Sequence, residues 1–154
     1  MNDTYFAMLQ NCKRHADRLH WAKTTLTPKF PLTETSMQQL SDTEIAILDQ
    51  FTTRFAKLQD AMGAKLFPAV LELTKEPGNL AAFLDKLNRL EKIGGIPSAT
   101  QWLMLREMRN EFSHNYPDNP VLQAAMLNRA FLLADELLAI LIHVEKFAAQ
   151  YTQP

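Results

Sequence analysis

An arginine, an asparagine, a histidine and a tyrosine fall close together in the stretch Arg109-Asn110-Glu111-Phe112-Ser113-His114-Asn115-Tyr116. An imidazole accepts and donates protons near neutral pH. A guanidinium binds a pair of anionic oxygens through its planar fork of donors. Together such groups suit proton transfer at a bound anion. Each also has a plainer use. Arg109 can pack its stem and keep its head in solvent, and His114 can be an exposed residue at a helix end.

The stretch from Trp102 to Tyr116 reads as helix, with Trp102, Leu105, Met108 and Phe112 as a buried stripe. Arg109 and Tyr116 fall in the same arc. A guanidinium in an apolar seam is costly unless it is paired or faces a wet cleft. Arg109 is therefore expected at a seam edge or subunit interface. His114 lies about 140° round a regular helix from Arg109. The two converge only if the helix loosens near its end or if two chains build the site. Tyr116 precedes Pro117, which drives it out of α geometry, so the helix is expected to end near Asn115 with His114 in its last turn.

Other candidates are weaker. Arg14-His15 followed by His20 repeats a looser Arg-to-His spacing but lacks a trailing tyrosine. His15 and His20 are also wrongly spaced to align metal ligands on one helix face, and no metal site is expected. His143 reads as a satisfied packing residue, and the methionines as core filler. Tyr5, Trp21 and Phe30 can stack on bases, although core packing is the ordinary use of aromatics at helical spacing. No Gly-rich phosphate loop follows a strand, and no pair of carboxylates demands acid–base roles.

The pattern Arg109-Asn110-x-x-x-His114-x-Tyr116 resembles the R-x4-H-x-Y signature of HEPN-domain proteins, in particular HepT-type toxins paired with minimal nucleotidyltransferase (MNT) antitoxins. The resemblance implies a metal-independent endoribonuclease toxin of the toxin–antitoxin kind, with no cofactor. The ribose 2′-OH would attack the adjacent phosphodiester, leaving a cyclic phosphate and a free 5′-OH. His114 would serve as base or acid, Arg109 would hold the phosphate, and Asn110 would orient either. RNA is implied because DNA lacks the 2′-OH. Arg106 and Arg89 would add an RNA-binding surface, with Lys86 and Lys92 nearby. The family's dimeric sites imply a homodimer with two motif copies. Tyr116 would accept adenylyl groups from the MNT partner. The alternative is a nucleotide- or partner-binding subunit of a nucleotidyltransferase that does not cleave RNA.

The elements that must position these residues read as about five helices. The first begins after Asn2 or Asp3, carries Met8, Cys12, His15, Leu19, Ala22 and Leu26 on one stripe, and ends at Pro28 and Pro31. Thr33 to Gln39 reads as a loop. Ser41-Asp42-Thr43-Glu44 is a capping box opening a second helix with Ile45, Leu48, Phe55, Leu58 and Met62 on its apolar face. Pro68 should kink or interrupt that helix. Pro77-Gly78-Asn79 reads as a turn. The third helix carries Leu80, Phe83, Leu84, Leu87 and Leu90 and stops at Gly94-Gly95. Ser98 caps the fourth, which bears the motif. Pro120 suits the first position of the fifth, which runs to about Gln150. No segment alternates as a strand. The expected fold is an all-α, antiparallel up-and-down bundle forming one HEPN-like domain over residues 1–154.

Composition agrees. The chain has 154 residues, enough for one domain with its own core. Hydrophobic residues make up 47% and charged residues 21%, which excludes a wholly disordered chain. Sixteen basic residues against 17 acidic ones give a net charge of -1, so no global positive field favours tight non-specific duplex binding. Cys12 is the only cysteine, which excludes an internal disulfide and suits a reducing compartment. The N-terminus lacks a secretory h-region. The longest apolar run, Leu137 to Ile142, is too short for a bilayer. A cytoplasmic protein without membrane attachment is expected.

Overall fold

The computed structural model describes residues 2–75, 82–114 and 116–152. The expected turn at Pro77-Gly78-Asn79 lies outside them, as does Leu80. Every regular element among the described residues is helical, and the elements pack as an all-α bundle.

Helix α1 spans Asn2–Leu26, and a 3₁₀ turn containing Pro28 follows it. Its buried face is Tyr5, Leu9, Cys12, Ala16, Leu19, Ala22 and Leu26. Met8 and His15, expected on that stripe, are only half-buried. The apolar arc of a long helix is wide enough to hold two adjacent stripes, and the one that begins at Tyr5 wins the core. Tyr5 is 1% exposed, so it cannot stack on a base. Burial, helped by the charge of Glu145, pushes its hydroxyl up to about 12. Burial likewise pushes the Cys12 thiol up to about 12, leaving an inert packed side chain.

The expected loop after Thr33 contains a short helix, α2, Glu34–Gln38. The Thr33 hydroxyl accepts the Ser36 N–H at 3.0 Å, and the Ser36 hydroxyl accepts the Thr33 N–H at 2.8 Å. This is a capping box made without the usual Glu or Gln. Helix α3, Asp42–Ala61, opens on the expected box, with Ser41 and Glu44 bonded reciprocally at 3.1 and 2.9 Å. Phe51, Phe55 and Leu58 are buried on it, whereas Ile45 is exposed.

A π-helical turn, Met62–Leu66, carries α3 into α4, Phe67–Thr74. The Phe67 N–H donates to the Met62 carbonyl five residues back. Pro68 then falls in the first turn of α4, where a missing N–H costs little. The interruption expected at Pro68 is thus a change of helical register just before it. One expected helix becomes α3 and α4, and α2 adds to the expected five.

Helix α5, Phe83–Ile93, ends at Gly94, whose φ of 89° suits glycine alone. Helix α6, Ala99–Glu111, is capped by Ser98 through the Gln101 N–H at 3.1 Å. Helix α7, Pro120–Thr152, opens on Asn119, whose side-chain oxygen accepts the Leu122 N–H at 3.1 Å. Helix α1 packs on α3, α4 and α7, while α6 packs on α3, α5 and α7. Asn128 on α7 clamps the chain before α2 through both backbone polar groups of Leu32, at 2.7 and 2.9 Å. His143 is satisfied as expected, its Nε2 lying 2.8 Å from the Gly94 carbonyl. Among the described residues no helix is long and apolar enough to cross a membrane.

Candidate functional site

Helix α6 presents Trp102, Leu105 and Met108 to the core, all nearly or fully buried. Arg109 follows at the edge of that stripe. Its Nε and Nη2 donate to the two carboxylate oxygens of Asp60 on α3, each at 2.9 Å. These hydrogen bonds hold the Arg109 pKa above its ordinary value, against the opposing effect of burial. The pair sits at the surface, with Arg109 33% and Asp60 51% exposed in their side chains. The seam-edge position expected for Arg109 is therefore found, with a carboxylate partner from another helix rather than solvent alone. Three of its five N–H groups remain outside the Asp60 pair.

Beside the pair lies a cavity of about 340 Å³ lined by Gln59, Asp60, Gly63, Ala64, Phe83 and Arg106. The π turn supplies part of its wall. Gly63 in this turn lies against the rings of Trp102 and Phe83, with room for a Cβ in ordinary contact at 3.4 and 3.7 Å. Arg106, one turn before Arg109, is exposed and lies 5.1 Å from the Phe83 ring centroid. Such a cation–π contact fixes a guanidinium without neutralising it. Arg89 is half-buried on α5 and does not line this cavity.

The end of α6 differs from expectation. The helix stops at Glu111, four residues before Asn115, and His114 lies beyond its last turn. Phe112, Ser113 and His114 donate their N–H groups to Arg109, Asn110 and Glu111, a tighter three-residue spacing. Two anchors fasten this end. Phe112 meets Phe55 of α3 edge to face at 5.3 Å, and Glu111 is hydrogen-bonded and ion-paired to Arg129 of α7.

Asn110 and His114 are exposed, while Tyr116 is half-buried against the core. The rings of His114 and Tyr116 are 6.3 Å apart. Tyr116 has left the α region, as its proline neighbour demands, and takes a φ of 43°. Its carbonyl accepts the Asn119 N–H at 3.1 Å, in the turn that starts α7. Left-handed geometry is costly for a bulky residue, and the turn bonds offset that cost.

Two groupings result. Asp60 and Arg106 border one cavity, with Arg109 paired to Asp60 beside it; His114 and Tyr116 form a second pair at the chain reversal. No hydrogen bond or ion pair joins Arg109 to His114 among the described residues. Asp60 was not singled out by the sequence, where it is one of many scattered carboxylates. A polar Gln59-Asp60 pair set between Leu58 and Met62 was the available signal, and Gln59 is the one buried polar side chain among the described residues. No cluster of three metal-ligating side chains occurs among the described residues. No family model, curated protein or solved structure matches this chain.

Proposed function

We propose that the chain is a HEPN-like endoribonuclease of the toxin–antitoxin type, acting without a metal ion. The observation that carries this reading is the Arg109–Asp60 pair. It holds a guanidinium with unspent donors on a carboxylate that lines a surface cavity, in the same motif as an exposed histidine. An exposed ion pair contributes only about 0–1 kcal/mol. An incoming phosphate can therefore share Arg109 or displace Asp60 at small cost. In the reaction the 2′-oxygen bonds to phosphorus as its proton passes to a base. The bond to the 5′-oxygen breaks as that atom gains a proton. His114 serves as base or acid, Arg109 offsets charge on the phosphorane, and Asn110 orients the phosphate. Arg106 extends the cationic surface beside the cavity, and Arg89 is assigned to RNA contact from α5. Asp60 acts through Arg109 as a positioning residue.

A homodimer brings a second histidine and arginine to the cleft. The partner is an MNT-type nucleotidyltransferase that adenylylates Tyr116, putting a phosphate and its bulk beside the motif. Purified protein is expected to cleave RNA in EDTA, leaving cyclic phosphate and 5′-OH ends. His114→Ala should lose about 10²–10⁴-fold in rate, and Arg109→Lys should also be poor because an ammonium lacks the planar fork. Wild-type cleavage by the double alanine variant would reject the assignment. The second reading, nucleotide or partner binding without cleavage, is favoured by the claim that Asp60 already holds on Arg109. It predicts nucleotide binding by a well-folded protein that leaves RNA intact.

A further inference from the structure

The face formed by α1 and α3 carries a second polar concavity, which shares no residue with the cavity beside Asp60. Arg14, His15, Asp17, Arg18, Trp21 and Arg54 line a cavity of about 640 Å³. An adjoining cavity of about 510 Å³ shares Arg18, Trp21 and Arg54 and runs on along α3 past Gln50. The two form one groove. Its helical spacing explains its makeup: Arg14, Arg18 and Trp21 lie on one face of α1, and Gln50 and Arg54 lie one turn apart on α3.

Among the described residues that line this groove are three guanidiniums and one carboxylate, Asp17. None of the three is ion-paired among the described residues. Arg14 donates to the Asn11 side chain at 3.3 Å, and the Arg54 Nη1 lies 2.9 Å from the His15 Nδ1. Arginine can only donate, so the His15 Nδ1 accepts and its proton sits on Nε2. A neutral imidazole is also what the surroundings favour, since burial and the charges of Arg54, Lys57 and Arg14 all lower its pKa. His15 therefore adds a donor to the site without adding a charge.

Two further donors lack any acceptor. The Gln50 Nε2 and the Arg54 Nε are buried and make no hydrogen bond. Buried donors in folded proteins are almost always satisfied. Both belong to residues that line the groove, but the two atoms are closed to solvent, so they are not counted among the contacts of a ligand seated there. At the rim, Trp21 is 49% exposed. An exposed indole beside guanidiniums is the arrangement on which nucleic-acid bases stack, and a cavity of this size suits a small organic ligand.

We infer that the α1–α3 groove binds a nucleotide unit, with the phosphate held by Arg14, Arg18 and Arg54 and the base stacked on Trp21. The unit can come from a free nucleotide or from a single RNA strand, which share this chemistry. The inference does not depend on the nuclease reading, because neither Arg109 nor His114 takes part.

The test is calorimetric and fluorescence titration of the purified chain with AMP, adenosine, inorganic phosphate and an oligoadenylate RNA. Trp102 is fully buried, so base stacking should change the emission of Trp21. AMP is expected to bind at least about tenfold more tightly than adenosine or phosphate, each of which offers only half of the contacts. Tighter binding of the oligonucleotide than of AMP assigns the site to a strand; equal or weaker binding assigns it to the free nucleotide. The double variant Arg14→Gln, Arg18→Gln changes two exposed side chains and should weaken AMP by about tenfold or more with helicity intact. Trp21→Ala should weaken AMP and leave phosphate unchanged. Failure of both AMP and the oligonucleotide to bind at millimolar concentration would overturn the inference. So would unchanged AMP affinity in the double variant, or phosphate binding as tightly as AMP.

Discussion

At the scale of the residue, the same side-chain type does different work according to what lies across from it. Arg109 meets a carboxylate and is oriented by it, whereas Arg54 meets an imidazole and keeps its charge uncompensated. The second arrangement has a consequence for stability. Burial and the charges of Arg54, Lys57 and Arg14 depress the folded-state pKa of His15 below its ordinary 6.5, and among the described residues Asp17 is the one acidic residue lining the same cavity. The unfolded chain therefore takes up a proton at His15 more readily than the folded one. The stabilising effect of a neutral His15 is fully present above pH 6.5. It is lost as pH falls from there through the lower folded value. In urea unfolding, wild type should lose stability relative to His15→Gln between pH 7.5 and pH 5. An equal difference at both pH values would show that His15 does not titrate differently on folding. The arginine and the histidine of the motif were legible because their types and spacing are local. Asp60 was not, because its meeting with Arg109 spans 49 positions and exists only after α3 packs on α6.

At the scale of the element, local signals held where one helix end decides the outcome. The Ser41 and Glu44 box was legible because its hydrogen bonds lie within four consecutive residues. Ser41→Ala removes the acceptor for the Glu44 N–H and should cost about 1 kcal/mol. A shift of the urea midpoint to lower denaturant with an unchanged m-value would report this, and an unmoved midpoint would show that the cap is redundant. Helix α2 carries no clear sequence signal because its box uses Thr33 and Ser36, residues equally at home in a loop. Apolar spacing overstates the length of α6, because it continues through Phe112 while the backbone has already tightened to a three-residue turn. Pro68 marked an interruption correctly. That a π turn absorbs it, through the Phe67 N–H bonding five residues back to the Met62 carbonyl, is a shift of register that no local pattern reveals.

At the scale of the whole molecule, a net charge of -1 conceals an uneven distribution. Cations gather along the α1–α3 groove and beside the Asp60 cavity, so charge balance over the chain argues only against indiscriminate duplex binding. The proposed nuclease makes a further demand on the whole, because one arginine and one histidine per chain is a small catalytic set. Two copies related by a two-fold axis would double it through an isologous interface. The surface near the motif suits such contact. Val121 and Leu122, just past the Tyr116 turn, are 58% and 47% exposed. Leu132, 69% exposed, lies three turns further along the same face of α7 as Val121. A stable interface buries about 800 Å² per partner, roughly a tenth of the 8608 Å² surface of the chain. The contact must therefore extend along α7 rather than rest on Val121 and Leu122 alone. Light scattering is expected to give a homodimer. Aspartates at both positions, Val121→Asp with Leu122→Asp, place charge at the centre of the contact and should yield a helical monomer. That monomer should retain the α1–α3 groove and its ligand affinity, but lose RNA cleavage by about 10²-fold, as removal of one proton-transfer group would. A wild-type monomer that cleaves RNA would place the complete site within one chain. A charged variant that stays dimeric would move the interface off this face of α7.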